Sequence, residues 1–227
     1  MRLTSPLSTN HSDAISKLRK FRTKLGNGMC EILPNLFLGS LRDATDLELL
    51  EKCGIRHLVS IHELTISHTG HANLGIDILQ IALADCASSK IANHFATTNS
   101  FIHRSRLNKE PVLVHCLAGV SRSATIVLAY LCTIAEISYF NALSHLTSCR
   151  PIVNPNYGFR MQLCKYIEKD VTKERLRLRC EFSDHPFDNL WELDQAVLGH
   201  KIDLSISRSS PSSSVTTIYG KSKKKIV

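Results

Sequence analysis

The sequence predicts an α/β domain with a central, mostly parallel, twisted sheet flanked by helices. Short β-branched or apolar runs alternate with longer amphipathic runs through most of the chain. One short run, PVLV at 111–114, is apolar throughout, which is typical of a strand buried on both faces of a parallel sheet. A length of 227 residues with 43% hydrophobic residues suits one such domain with tails.

The first ordered elements are expected to be a strand, a helix and a second strand. Residues 29–40 predict a strand that crosses a turn at the Pro-Asn pair. Residues 41–54 predict one helix, because the leucines of DLELLEK form an apolar stripe and Gly54 supplies a stop signal. The β-branched run IRHLVSIH at 55–62 predicts the next strand.

The middle of the chain predicts a loop over 63–75, a strand over 76–83 and a helix over 91–108. The strand sequence IDILQIAL is apolar and β-branched. In the helix, the side chains that form the inner face recur at intervals of three and four residues. A buried strand is expected over 111–115, directly after this helix.

Three helices are expected after the buried strand. The run RSATIVLAYLCTI at 122–134 is apolar almost all round, which predicts a helix inside the core. A second helix is expected over 139–149. A third is expected to begin after PIVNPN, at about 157, and to end near 176.

Polar sequence bounds the domain on both sides. Residues 1–25 are rich in Ser and Thr and form an N-terminal extension that we expect to be flexible, so the domain is placed at 26–176. Residues 177–227 form a C-terminal extension, expected to be disordered from about 205. A short helix around Trp191 is the one element expected in this extension.

Basic residues cluster near the two ends, and they account for much of the net charge of +8. Five lie at 17–24 and four at 221–225. Such runs predict weak peripheral contact with acidic membranes, at about 1 kcal/mol per basic residue, or a nuclear address. Nucleic-acid binding is not expected, because no basic stripe with interleaved aromatic residues runs through the core. No stretch approaches the roughly 18 apolar residues of a membrane span, and we expect a cytoplasmic protein.

The eight cysteines include no CxxC pair and have no regular spacing. This pattern is typical of reduced intracellular thiols and disfavours zinc, whose ligand pairs usually lie two to four residues apart. The cluster of His62, His68 and His71 is interpreted as a polar loop. We therefore expect neither a metal nor a cofactor.

The motif HCLAGVSRS at 115–123 sets Cys116 between a strand and a helix. Backbone N–H groups in such a turn converge on one point, and the helix N-terminus adds partial positive charge there. Gly119 allows the bend, and Arg122 supplies a charged fork that matches two phosphate oxygens. This environment favours the thiolate of Cys116, so phosphoryl transfer to sulfur is expected. The expected phosphate-binding residues are Leu117, Ala118, Gly119, Val120, Ser121 and Arg122.

Cleavage of a phosphate ester also needs a proton for the departing oxygen. Asp85 lies 31 residues before Cys116, on the loop after strand 76–83, and is the candidate general acid. Ser123 is expected to donate a hydrogen bond to the sulfur when the sulfur leaves. The simpler alternatives, a surface aspartate and a serine in the first turn of a helix, stay open.

The HCxxGxxRS spacing resembles that of the protein tyrosine phosphatase superfamily. The blocks VLVHCLAGVSRSAT, AYLC and NPNYGFRMQL are similar to the atypical dual-specificity phosphatases, and GNGMCEILPNLFLGSLRDA and ALADCASSK to the group of dual specificity protein phosphatases 15 and 22. The resemblance implies their fold, with Cys116 as nucleophile, Arg122 as phosphate clamp, Asp85 as general acid and His115 in support. It also implies a shallow pocket for phosphotyrosine, phosphoserine and phosphothreonine in proteins, and a role in MAP kinase (JNK-type) signalling. Asn156 is expected to cap the helix that follows it and to steady the neighbouring loops.

The chain departs from these relatives at its start. They begin Met-Gly-Asn-Gly-Met and are myristoylated, whereas the corresponding Gly26 here follows 25 other residues, so the lipid is not expected. Three alternatives remain: a phosphoinositide phosphatase, an RNA 5′-phosphatase, or a phosphoprotein-binding pseudophosphatase. The loop interior, LAGVS, lacks the lysines that would meet extra phosphates, which disfavours the first two. The presence of Cys116, Arg122 and Asp85 together disfavours the third.

Overall fold

The computed structural model describes residues 28–64, 69–184 and 187–206. Within these residues, five strands form one sheet with the spatial order β1-β2-β5-β3-β4. The antiparallel pair is β1 with β2, and the three other pairings are parallel. The predicted mostly parallel sheet is therefore confirmed. The strands are β1 Cys30–Leu33, β2 Leu36–Ser40, β3 His57–Ile61, β4 Asp77–Ile81 and β5 Val112–Cys116.

Helices cover both faces of the sheet. The helices are α1 Leu41–Thr45, α2 Leu47–Lys52, α3 Thr69–Asn73, α4 Phe95–Leu107, α5 Arg122–Ile134, α6 Tyr139–Cys149, α7 Tyr157–Lys169, α8 Val171–Glu181 and α9 Phe187–Ile206. A 3₁₀ turn, Ile91–His94, leads into α4. No helix among the described residues is long and apolar enough to cross a membrane.

The sheet separates a larger cluster of buried hydrophobic residues from a smaller one. Every residue of β5 is buried, and its side chains alternate between the two sides as expected for a pleated strand. Val112 and Val114 pack into the larger cluster with α5, whereas Leu113 joins Leu58 in the smaller cluster beneath α1 and α2. Because β5 is central and parallel to its neighbours, its C-terminal end lies at the sheet edge where ligand sites of α/β folds occur.

Two of the predicted helices are each two helices in the structure. The helix expected over 41–54 breaks at Asp46, whose side chain accepts a hydrogen bond from the Leu49 N–H (3.0 Å) and so caps α2. The helix expected to end near 176 breaks at Asp170, between α7 and α8. The loop expected over 63–75 contains α3. At Asp46 and at Asp170, the apolar pattern on either side conceals a short polar interruption.

The C-terminal extension contributes more to the fold than the sequence indicates. The expected domain boundary at 176 falls inside α8, and the short helix expected around Trp191 is the twenty-residue α9. Asp194 of α9 accepts two hydrogen bonds from Arg106 of α4, at 2.5 and 2.9 Å, and both side chains are almost fully buried. Arg106 also donates to the Pro34 carbonyl (3.0 Å). The flexible segment expected over 1–25 lies outside the described residues. The disorder expected from about 205 begins at the last residues of α9, and residues 207–227 lie outside the described residues.

Candidate active site

The cysteine of the HCLAGVSRS motif ends β5, and its arginine begins α5. Residues 117–121, which we call the phosphate-binding loop, connect the two elements. Cys116 is only 1% exposed, at the base of this loop. The predicted strand–loop–helix arrangement around the cysteine is therefore present.

Each carbonyl group from residue 117 to residue 120 is held from outside the phosphate-binding loop. The Leu117 oxygen accepts from the Leu41 N–H (3.2 Å), and the Val120 oxygen accepts from the Asn154 N–H (2.9 Å). The oxygens of residues 118 and 119 both accept from the guanidinium of Arg150, at 3.2 and 3.0 Å. Because the peptide unit is planar and trans, an outward carbonyl turns the following N–H inward. The loop thus presents its N–H groups to the space above the sulfur.

Hydrogen bonds converge on the Cys116 sulfur itself. The Ser123 hydroxyl donates to it at 3.2 Å, as expected, and the Gly119 N–H donates at 3.3 Å. Burial by itself raises the pKa of the thiol, but hydrogen bonds from the Ser123 side chain and from backbone N–H groups lower it by more. The net pKa of Cys116 lies below the ordinary value, which favours the nucleophilic thiolate.

Gly119 is a position where only glycine fits. Its φ of 69° lies in the left-handed region. A Cβ at this position would also lie 2.5 Å from the Gly39 carbonyl oxygen of β2. The close approach of loop and strand therefore requires the absence of a side chain here.

The Arg122 guanidinium is buried and oriented by groups from two other segments. Its Nη1 donates to the Glu63 carboxylate at 2.5 Å and to the Leu83 carbonyl at 2.9 Å. Its Nε lies 3.6 Å from the Asp85 carboxylate. The pKa of Glu63 is lowered by its own backbone N–H and by Arg122. Arg122 and Asp85 are far apart in sequence but are neighbours beyond the C-terminal ends of the parallel strands.

Asp85 is held by a small hydrogen-bond network. One carboxylate oxygen accepts from the Ser121 hydroxyl and from the Asn156 side-chain amide, both at 2.7 Å. The Asn156 N–H in turn donates to the Ser121 hydroxyl at 3.1 Å. The Asn156 side-chain oxygen accepts from the Phe159 N–H at 3.0 Å, so it caps α7 as expected. The loop that carries Asp85, the phosphate-binding loop and the start of α7 are therefore joined by these hydrogen bonds.

Two residues next to this network complete the site. His115 is buried, with Nδ1 3.3 Å from the Cys116 carbonyl oxygen and its ring 5.7 Å from that of His62. Gly158, in the first turn of α7, packs directly on Ala87: a Cβ there would lie 2.0 Å from the Ala87 carbonyl oxygen. The described residues contain no group of three or more His, Cys, Asp or Glu side chains arranged to hold a metal ion.

The site defines the class of the cysteine-based phosphatases, because a thiol lies beneath a ring of inward N–H groups and beside an arginine and an aspartate. Within that class the chain belongs to the dual specificity phosphatases: residues 36–169 match the family described as "Dual specificity phosphatase, catalytic domain". This membership supports protein phosphatase activity.

Relatives and solved structures narrow the family to its atypical members. The chain is 38% identical over 190 residues to dual specificity protein phosphatase 22 of Xenopus tropicalis, covering 84% of this chain and 89% of that one. It is 40% identical over 163 residues to dual specificity protein phosphatase 15 of Mus musculus, covering 72% and 68%. The crystal structure of DUSP15 superposes with a TM-score of 0.66 at 41% identity, covering 69% of this chain and 98% of that one.

Three contributions to the site were not found from the sequence. Glu63 lies in a segment that the sequence predicts to be a loop, no sequence pattern indicates a role for Arg150, and the motif indicates the backbone of Ser121 rather than its hydroxyl. Glu63 and Arg122 are 59 residues apart in sequence, and Arg150 and Gly119 are 31 apart. No local spacing pattern signals such contacts.

Proposed function

We propose that the protein hydrolyses phosphotyrosine, phosphoserine and phosphothreonine in proteins through a phosphocysteine intermediate on Cys116. The observation that carries this proposal is the convergence of the Ser123 hydroxyl and the Gly119 N–H on a buried sulfur whose pKa is lowered. The phosphate of the substrate is held by the inward N–H groups and by Arg122. No basic side chain within residues 117–121 is available for a second phosphate.

In the first step, the Cys116 thiolate attacks phosphorus and an S–P bond forms while the ester P–O bond breaks. Asp85 gives its proton to the departing oxygen, so the product leaves as an alcohol or phenol. In the second step, water attacks phosphorus and gives a proton to the Asp85 carboxylate. The S–P bond breaks, its electron pair returns to sulfur, and the Ser123 hydroxyl stabilises the thiolate that forms. Inorganic phosphate is released.

The nucleophile is tested with Cys116→Ser, which should abolish turnover of p-nitrophenyl phosphate but leave binding of tungstate, a phosphate analogue. Cys132→Ser is the matched control, because Cys132 is an equally buried thiol that lies in α5 outside the loop. Its activity should be that of the unmodified protein. Turnover by Cys116→Ser would exclude the covalent mechanism.

The general acid is tested with Asp85→Ala. Loss of proton transfer to the leaving group is worth about 10²–10⁴ in rate. A variant that keeps the rate would show that another group supplies the proton.

Substrate class is tested with a panel of phosphoproteins, phosphoinositides and 5′-triphosphorylated RNA. The protein should act on phosphoproteins, since the phosphate-binding loop contains no basic side chain and Arg122, directly after it, is the one clamp for a single phosphate. Faster turnover of either alternative would replace the proposal, and binding without turnover would identify a pseudophosphatase. Capture of phosphorylated MAP kinase pathway proteins from cytoplasmic extract by Asp85→Ala tests the signalling role, which the family resemblance suggests.

A further inference from the structure

Arg150 is one of the most deeply buried charged side chains among the described residues, with no exposed surface. Burial of a guanidinium is costly unless its N–H groups are bonded. Arg150 is the residue after α6, and no part of the chemistry proposed above uses it directly. Its contacts therefore indicate what its burial achieves.

The guanidinium joins two parts of the chain that are far apart in sequence. On one side it donates to the Ala118 oxygen (3.2 Å) and the Gly119 oxygen (3.0 Å) of the phosphate-binding loop. On the other side its Nη1 donates to the Gly28 carbonyl at 2.7 Å and contacts the Cys30 sulfur at 3.5 Å. We call residues 28–30, the last two residues before β1 and the first residue of β1, the N-terminal arm.

The two loop contacts determine where two N–H groups point. With the Ala118 carbonyl turned toward Arg150, the N–H of the same peptide unit, on Gly119, points the opposite way, to the Cys116 sulfur at 3.3 Å. With the Gly119 carbonyl also turned outward, the N–H of that peptide unit, on Val120, turns toward the sulfur side, where it helps to lower the pKa of the Cys116 thiol. One guanidinium thus fixes two adjacent peptide planes of the phosphate site.

We propose that Arg150 is a positioning residue that aims the N–H groups of Gly119 and Val120 at the phosphate and couples this aim to the N-terminal arm. The proposal rests on the proposed function in that the anion is a phosphate monoester. A lysine at this position has a single ammonium centre and no planar fork, so it cannot hold both carbonyls in the same geometry. A change in the arm reaches the phosphate site through the Gly28 carbonyl.

The loop side of the proposal is tested by calorimetric binding of tungstate to full-length Arg150→Lys. Affinity should fall about tenfold, equivalent to about 1.4 kcal/mol, and kcat/KM for p-nitrophenyl phosphate should fall with it. Arg106→Lys is the matched control: Arg106 is buried to the same degree, but it bonds Pro34, Tyr130 and Asp194, none of which is in the loop. It should lose stability and keep tungstate affinity. If tungstate affinity fell equally in both variants, Arg150 would have only a structural role and the proposal would be overturned.

The coupling of the N-terminal arm to the phosphate site is tested with a pair of glycine variants. The same pair tests the proposal if Arg150→Lys does not fold. Gly28 and Gly54 both have positive φ, 101° and 65°, and a Cβ added at either position would have nothing within 4 Å. Valine at either position strains the backbone, because its φ is positive, while its Cβ meets no other atom within 4 Å. Gly28→Val moves a carbonyl that Arg150 holds, so it should weaken tungstate binding, whereas Gly54→Val should not. Unchanged binding by Gly28→Val would overturn the coupling.

These outcomes are distinguishable from failure of the proposed function. Tungstate binding needs no turnover, so an inactive wild-type protein that still binds tungstate would contradict the phosphatase proposal and leave the role of Arg150 open to the same comparison. A wild-type protein that binds no tungstate would contradict both.

Discussion

Replacing Gly158 by alanine is expected to slow catalysis by displacing the proposed general acid. The Cβ would lie 2.0 Å from the Ala87 carbonyl oxygen, whereas ordinary contact begins at 3.4 Å, so the two backbones must separate by 1.4 Å, the difference between these distances. Ala87 is two residues after Asp85, whose carboxylate is bonded to α7 through Asn156 at 2.7 Å. A misplacement of about 1 Å at a reacting group can cost on the order of 10²-fold in rate.

The assay compares aryl phosphates with good and poor leaving groups. Phenyl phosphate needs protonation of its departing oxygen more than p-nitrophenyl phosphate does, so Gly158→Ala should lose about 10²-fold on the first and much less on the second. Gly199→Ala is the matched control, because Gly199 also lies in a helix and nothing is within 4 Å of its Cβ position. Wild-type rates on phenyl phosphate, or equal losses on both substrates, would refute the reasoning.

Three further changes test other parts of the structure. Ser123→Ala removes a hydrogen bond that lowers the Cys116 pKa, so the rise of kcat/KM with pH should move to higher pH and alkylation by iodoacetamide at pH 6 should slow; an unmoved profile would contradict this. Asp194→Asn leaves the buried Arg106 without its charge partner. It should lower the free energy of unfolding, measured with urea, by about 3–5 kcal/mol and leave kcat of the folded protein unchanged. A smaller decrease would mean that α9 contributes little to stability. Gly119→Ala should abolish tungstate binding, because no Cβ fits against β2; retained affinity would show that the loop can move.

The fold could be predicted from sequence wherever one local pattern dominated. The helices 122–134 and 139–149 have the predicted bounds. The turn at Pro34-Asn35 is present, but it separates two antiparallel strands, β1 and β2, where the sequence predicts one strand over 29–40. Asp46 and Asp170 interrupt longer helical patterns, and the apolar periodicity on either side concealed these breaks. Helix positions follow from periodicity, but helix ends depend on single capping interactions that periodicity does not report.

The candidate site divides in the same way. Cys116, Arg122 and Ser123 are close in sequence, so the motif predicted their arrangement, and Asp85 followed from a requirement of the chemistry. Arg150 could not be predicted, because its partners are carbonyl groups that any residue supplies and its position depends on how α6 packs against β1. Groups that react can thus be read from residue types, whereas groups that position them depend on the tertiary fold.

The most direct measurement of the central claim is whether phosphate becomes covalently attached to Cys116 during turnover. The protein is mixed with a phosphotyrosine peptide, quenched in acid within milliseconds and digested, and the peptide that contains the HCLAGVSRS motif is examined by mass spectrometry. A phosphoryl group is expected on the sulfur, with more of it in Ser123→Ala, because loss of the hydroxyl slows release of the thiolate. Turnover with no phosphoryl group on Cys116 at any quench time, in either protein, would contradict the covalent mechanism.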